Sequence, residues 1–345
     1  DFTTASRTVF AADGVRFVNL NVAPSDAHKL SATALTADAR SGLEALAGAL
    51  DGWHADEAYT ARATDLARDW DEVVQAAYDG PARGDSGDGT EGTLPTQAQV
   101  IGAVNELSAP GDVVVCAAGS MPGDLHKLWR TRDRKGYHVE YGYSCMGYEI
   151  AGGLGVGLAV RDAGEDREVF VLVGDGSYLM MSSELVTAVQ EGVKIIVVLV
   201  QNHGFASIGA LSESVGSQRF GTRYRYRTES GLDGGTLPVD LAANAASLGV
   251  DVLPVHGVDE LRGALRKATR STRSTLVHVE TDPMADAPDS PAWWDVPVPE
   301  VSSLDSTRDA RAAYDRHKAD QRSHLDPSDP LPSDPRGGLP ADPPR

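Results

Sequence analysis

Cysteine is almost absent from the 345-residue chain. Only Cys116 and Cys145 occur, which excludes a disulfide framework and leads to the expectation of a reducing, cytoplasmic setting. Long apolar runs are also missing. None reaches the roughly 18–20 residues that cross a bilayer as a helix, so no membrane-spanning segment is expected. Positive charge is scarce: 31 Lys and Arg stand against 50 acidic residues, a net charge of −19. A surface of that sign does not attract nucleic acid or an anionic membrane over its whole area. A local anion site remains open, because backbone N–H groups and a metal ion hold an anion without Lys or Arg. What is present is a hydrophobic fraction of 41% with 36 glycines, a composition that fits an α/β protein.

Along the chain, 1–50 hold a strand candidate with period-2 alternation, Val15–Asn21, and a helical Leu spacing over Gly42–Leu50. One strand and one helix cannot bury a core, so 1–50 is expected to be the last part of a domain. The chain opens DFTTASRTVFAADG, without Met, and is expected to be a fragment or processed piece. Residues 53–79 read as a charged helix with Trp53, Leu66, Trp70, Val73, Val74 and Ala77 on its apolar side. The run from Gly80 to Gly92 reads as a linker, and the domain boundary is expected there, closing a segment 51–94. From 95 to 285, strands alternate with helical patterns, the signature of a parallel sheet with helices on both faces. Thr96 caps a helix over Gln97–Leu107. Strands are expected at Asp112–Ala118, His138–Glu140, Val169–Val173, Lys194–Val200 and Thr275–Glu280, the third and fourth as continuous apolar runs. A small-residue helix runs from Gly147 to Val160, and a further helix spans Val258–Thr269. A polar helical extension occupies 286–325, and 326–345, rich in Pro, Asp and Ser, is expected to be disordered. There is no internal repeat.

The chemistry concentrates between Val169 and Ser207. Gly174-Asp175-Gly176-Ser177 follows a strand and opens a helix. In an open parallel sheet, ligands bind beyond the carboxyl ends of the strands. The glycines let backbone approach a phosphate, and the helix start near Ser177 offers free N–H groups. Asp175 reads either as a helix cap or as a hard carboxylate for Mg²⁺ or Ca²⁺. Asn202 ends the next strand. It forms a plain turn with Gly204, or brings an amide oxygen and the Gly204 carbonyl to the same ion. Gly153-Leu154-Gly155-Val156-Gly157 lies inside a helical stretch, so close helix packing is expected there rather than a dinucleotide fingerprint. His138, Glu140 and His203 are the acid–base candidates. Cys145 is expected to be a small buried residue.

The Gly174-Asp175-Gly176 … Asn202 pattern resembles the cofactor signature of thiamine-diphosphate enzymes. Thr96–Ile101, Ala117–Leu125, His138–Ile150 and Ser183–Thr187 are similar to one branch of them, the trihydroxycyclohexane-1,2-dione hydrolases of myo-inositol catabolism. The resemblance runs to about Arg322 and is strongest from Thr96 to Arg227. It implies the end of a Rossmann-like central domain followed by a complete diphosphate-binding domain. It implies Mg²⁺ on Asp175, Asn202 and the Gly204 carbonyl. It also implies diphosphate contacts from Gly119, Ser120, Gly174, Gly176 and Ser177, with Met146 bending thiamine diphosphate into its reactive shape. The implied activity is hydrolytic C–C ring cleavage of a cyclic dione to 5-deoxyglucuronate, in a homo-oligomer of at least two subunits. The implied activating glutamate belongs to a pyrimidine-binding domain, and no residue of this chain takes that role. Two further readings stay open: another thiamine-diphosphate enzyme, acetolactate-synthase-like, and a truncated binding module without activity.

Overall fold

The computed structural model of the chain describes residues 3–10, 12, 14–80, 94–140, 142–285, 287–289 and 292–325. The expected linker from residue 81 onward and the expected disordered tail lie outside the described residues. The chain forms two compact units, Asp1–Arg62 with Ser290–Arg345, and Ala63–Asp289.

In the first unit, β1 (Val18–Asn21), α1 (Pro24–Ala27), β2 (Thr33–Thr36) and α2 (Ala39–Ala49) follow one another. The two strands pair in parallel with Val18 opposite Thr33. Asp38 caps α2 by accepting from the Ser41 N–H at 3.1 Å. β2 has no signature in the sequence, because its four residues show no alternation long enough to read.

Helix α3 (Glu57–Asp79) crosses the division between the units. Its packed stripe within the second unit is Trp70, Val74 and Tyr78, four residues apart. Val74 and Tyr78 are buried, the Tyr78 hydroxyl donates to the Leu128 carbonyl at 2.5 Å, and the Trp70 indole donates to the Lys127 carbonyl at 2.9 Å. The expected apolar side is thereby corrected. Trp53 precedes the helix, and it, Leu66 and Val73 are exposed.

The second unit continues with α4 (Gln97–Leu107), β3 (Val113–Cys116), α5 (Ser120–Leu128), β4 (Tyr137–Val139), α6 (Tyr148–Ala163), β5 (Val169–Gly174), α7 (Asp175–Met181), α8 (Glu184–Glu191), β6 (Ile196–Gln201), α9 (Ala206–Ser214), α10 (Leu241–Ser247), β7 (Asp251–Val255), α11 (Val258–Arg270) and β8 (Thr275–Glu280). The polar helix α12 (Asp305–Asp320) then belongs to the first unit. The six strands form one parallel sheet in the order β4-β3-β5-β6-β8-β7. Alternate strand residues feed opposite layers. Phe170 and Leu172 pack with Ile101, Leu125 and Leu265 on one face, while Val171 and Val173 pack with Ile150, Tyr178 and Leu185 on the other. The α/β class with both faces covered is what the continuous apolar strands required. No described helix is long and apolar enough to cross a membrane.

The glycines of α6 act in packing. A side-chain carbon at Gly153 would sit 2.3 Å from Val171, and one at Gly157 would sit 2.6 Å from Val193. The helix therefore lies against the sheet at a distance that side chains would forbid.

Strand order places the site. β4 flanks β3 on one side and β5 flanks it on the other. The chain leaving β3 turns to one side and the chain leaving β5 to the other, and ligands in such sheets usually lie beyond the carboxyl ends at that point.

Candidate functional site

Five chain segments meet at these strand ends. β5 delivers Asp175, β6 delivers Asn202, β3 delivers the Ala118–Ser120 turn, the start of α6 delivers Met146 to Glu149, and a late loop delivers Tyr224. Asp175 is only 1% exposed. Its Oδ1 accepts the Gly176 N–H at 2.9 Å, and its Oδ2 accepts those of Gly204 at 3.1 Å and Asn202 at 3.3 Å. Burial pushes its carboxyl up to about 6, against the opposing pull of these N–H bonds. Asp175 opens α7, so one carboxylate gathers the backbone of both strand ends.

The turn after β6 is held by antiparallel pairing to a distant loop. The Phe205 N–H donates to the Thr222 carbonyl at 2.8 Å, and the Tyr224 N–H donates to the His203 carbonyl at 3.0 Å. A side chain at Gly204 would meet the Thr222 carbonyl at 2.2 Å, so only glycine fits. His203 takes φ = 60°, a costly conformation for a residue with a side chain. Its Nδ1 accepts from Gln201 Nε2 at 3.1 Å, and Gln201 Oε1 accepts from His278 Nε2 at 2.7 Å. Its Nε2 lies 3.6 Å from Glu280.

Two buried side-chain polar atoms among the described residues have no hydrogen-bond partner, Asn202 Oδ1 and the Tyr224 hydroxyl. An unpartnered amide oxygen beside a buried carboxylate fits a hard cation, which takes oxygen ligands of these kinds. No cluster of three His, Cys, Asp or Glu suited to a metal occurs among the described residues. The oxygens available to a cation at this turn are those of Asp175, Asn202 and Gly204.

Two of the candidate glycines leave room against the backbone. Side-chain carbons built at Gly119, where φ is +84°, or at Gly174 would meet nothing within 4 Å, so both border open space. Ser120 opens α5, and its hydroxyl pairs with Gln97 at 3.2 Å. Ser177 Oγ accepts the Gly147 N–H at 3.3 Å. Met146 is half-buried, and its terminal methyl would lie 3.5 Å from a side-chain carbon at Gly176. Asp175, Gly176, Ser177, Asn202, Gly204 and Met146 are thus brought together, with Gly119 and Ser120 at the neighbouring strand end.

Two acid–base candidates have other partners. His138 Nε2 bonds the Tyr148 hydroxyl at 2.7 Å and stacks on that ring. Glu140 accepts the N–H groups of Cys145 at 2.7 Å and Tyr143 at 3.0 Å, which hold its carboxyl below the usual range. The same small loop explains a correction: Cys145 is exposed, not buried. The Glu140 carboxylate draws the Tyr143 and Cys145 N–H groups to itself, and the Cys145 side chain stays at the surface.

Sequence reasoning misses Glu149. It is 1% exposed and accepts the Ala118 N–H at 3.1 Å and the Gly147 N–H at 3.0 Å. Burial raises its carboxyl. Its carboxylate ties the turn after β3 to the start of α6. The available signal is a lone acid against the apolar run Ile150–Leu158, where nothing else explains a charge.

Residues 117–279 match the family model described as thiamine pyrophosphate enzyme, C-terminal TPP binding domain. Among curated proteins, the chain is 40% identical over 334 residues to 3D-(3,5/4)-trihydroxycyclohexane-1,2-dione hydrolase 2 of Bacillus cereus. It is 39% identical over 332 residues to 3D-(3,5/4)-trihydroxycyclohexane-1,2-dione hydrolase of Bacillus anthracis. Each match covers 91% of this chain and 50% of the relative, so the chain spans about half the length of the curated relatives it matches. Among solved structures, benzoylformate decarboxylase from Polynucleobacter necessarius aligns with a TM-score of 0.49 at 20% identity, covering 59% of this chain and 36% of that one.

Proposed function

We propose that this chain carries the diphosphate- and Mg²⁺-holding half of a thiamine-diphosphate enzyme that hydrolytically opens the ring of 3D-trihydroxycyclohexane-1,2-dione, giving 5-deoxyglucuronate in inositol catabolism. The observation that carries the reading is the buried Asp175 carboxylate beside the unpartnered Asn202 Oδ1. Asp175, Asn202 and the Gly204 carbonyl hold the Mg²⁺. Gly119, Ser120, Gly174, Gly176 and Ser177 hold the diphosphate by backbone and hydroxyl contacts. When bound, thiamine diphosphate supplies a carbon nucleophile and an electron sink for C–C cleavage. The remaining work falls to this chain's residues: Met146 supports the cofactor beside Gly176, the apolar Phe205 ring excludes water from that wall, and His203 is placed by Gln201 to hold a proton near Asn202. Residues 95–285 are the diphosphate domain in this reading, and 1–50 the end of a central domain. The working enzyme is an oligomer of at least two copies.

Calorimetric titration of thiamine diphosphate with Mg²⁺ tests the metal assignment. Asp175→Ala is expected to abolish the Mg²⁺-dependent binding while the variant still melts cooperatively. Unchanged affinity would refute it.

A further inference from the structure

The second unpartnered buried atom, the Tyr224 hydroxyl, has no role in the reading above. It belongs to a loop far along the chain from Asn202, in Arg223-Tyr224-Arg225. The backbone pairing that places it is well defined: the Tyr224 N–H bonds the His203 carbonyl, and Arg223 bridges Gly204. Its ring meets Phe205 edge to face, with centroids 5.8 Å apart. Phe205 in turn packs against Gly176. Tyr224 is therefore fixed over the turn that carries Asn202 and Gly204. Burial, together with the nearby charge of Asp175, pushes its hydroxyl above its ordinary value, so it stays a protonated donor. It makes no hydrogen bond to Asp175.

A buried hydroxyl without a partner costs free energy. The one other such atom among the described residues belongs to Asn202, whose N–H bonds the Asp175 carboxylate, and Tyr224 pairs with the adjoining His203 and feels the same Asp175 charge. One bound group that satisfies both atoms accounts for the pair. An amide oxygen offers only lone pairs and suits the cation. A phenol offers a proton and suits an anionic oxygen held by that cation.

We propose that the Tyr224 hydroxyl donates a hydrogen bond to an oxygen of the Mg²⁺-held diphosphate, making Tyr224 a binding residue of the site. The proposal rests on the diphosphate reading of Asp175 and Asn202.

The test uses the 345-residue chain, its Tyr224→Phe and Asp175→Ala variants, and two probes with Mg²⁺, thiamine diphosphate and inorganic pyrophosphate. Phenylalanine keeps the ring contact with Phe205, so the free variant is expected to melt at or above the wild-type temperature. Its affinity for both probes is expected to fall roughly tenfold to a hundredfold, the usual loss for a hydrogen bond to a charged group. The melting shift induced by either probe is expected to shrink accordingly. Equal affinity of Tyr224→Phe and wild type, with Asp175→Ala defective, overturns this proposal and leaves the site reading standing. A loss for thiamine diphosphate but not for pyrophosphate places the hydroxyl elsewhere on the cofactor and also overturns it. A free variant that melts lower but binds normally assigns the hydroxyl to a buried water and overturns it too. Wild-type binding that is absent, or that survives in Asp175→Ala, overturns the site reading and this proposal together.

Discussion

Asp175 holds opposing demands in one side chain. A cation needs it ionised, yet burial raises its carboxyl to about 6. The folded state without a cation therefore binds the proton more tightly than the unfolded chain does. Stability from this group is present below the ordinary aspartate range and is lost as pH climbs from about 4 to about 6. Thermal melts across that window, with Asp175→Asn as the reference, are expected to show the wild-type-minus-variant difference falling as pH rises. Added Mg²⁺ is expected to reverse the trend above pH 6. Gly204 answers to sterics instead. Gly204→Ala is expected to cost about 1–3 kcal/mol in urea unfolding, because the new carbon meets the Thr222 carbonyl at 2.2 Å. Asp175, Asn202 and Gly204 are legible in the sequence because each ends or follows an apolar run that has to be a buried strand. Tyr224 and Glu149 are not. Tyr224 reaches the site only through a pairing with residues 203–205 that no local pattern announces, and Glu149 looks local until the turn after β3 is seen against it.

Helix α4 shows how an element is readable when its signals are local. Thr96 accepts the Gln99 N–H at 3.1 Å, and Gln99 Oε1 accepts the Thr96 N–H at 3.0 Å, a reciprocal capping box. Thr96→Ala is expected to lower stability by about 1 kcal/mol in denaturant unfolding, without altering cofactor binding. β5 and β6 are equally legible, since strands buried on both faces must read as unbroken Val, Ile and Leu. β7 is not. It is an edge strand, half-exposed and interrupted by Pro254, which is tolerated only where a ladder hydrogen bond is dispensable. α5 starts at the Gly119–Ser120 turn, and its residues Ser120–Leu128 include Pro, Gly and Asp, which obscure the helical period.

At the scale of the molecule, the described site lies within the unit Ala63–Asp289, while the chain spans half the length of its curated relatives. In the function proposed above no residue of this chain takes the activating glutamate's role, and the 345-residue chain alone is expected to bind thiamine diphosphate with Mg²⁺ weakly and not to open the cyclic dione. Robust turnover in a ring-opening assay of this chain would refute that expectation. The strand order has a consequence for time as well as for space. Asp175, Asn202 and Tyr224 come together only when β5 and β6 have paired and the loop at 222–224 has closed on residues 203–205. Parallel pairing across a crossover is slow to form. The cofactor is then expected to find its grip only after the folding barrier is crossed. Stopped-flow refolding with and without thiamine diphosphate and Mg²⁺ is expected to give equal folding rates and a slower unfolding limb. On this account the cofactor acts as a latch on the finished sheet and gives its assembly no guidance.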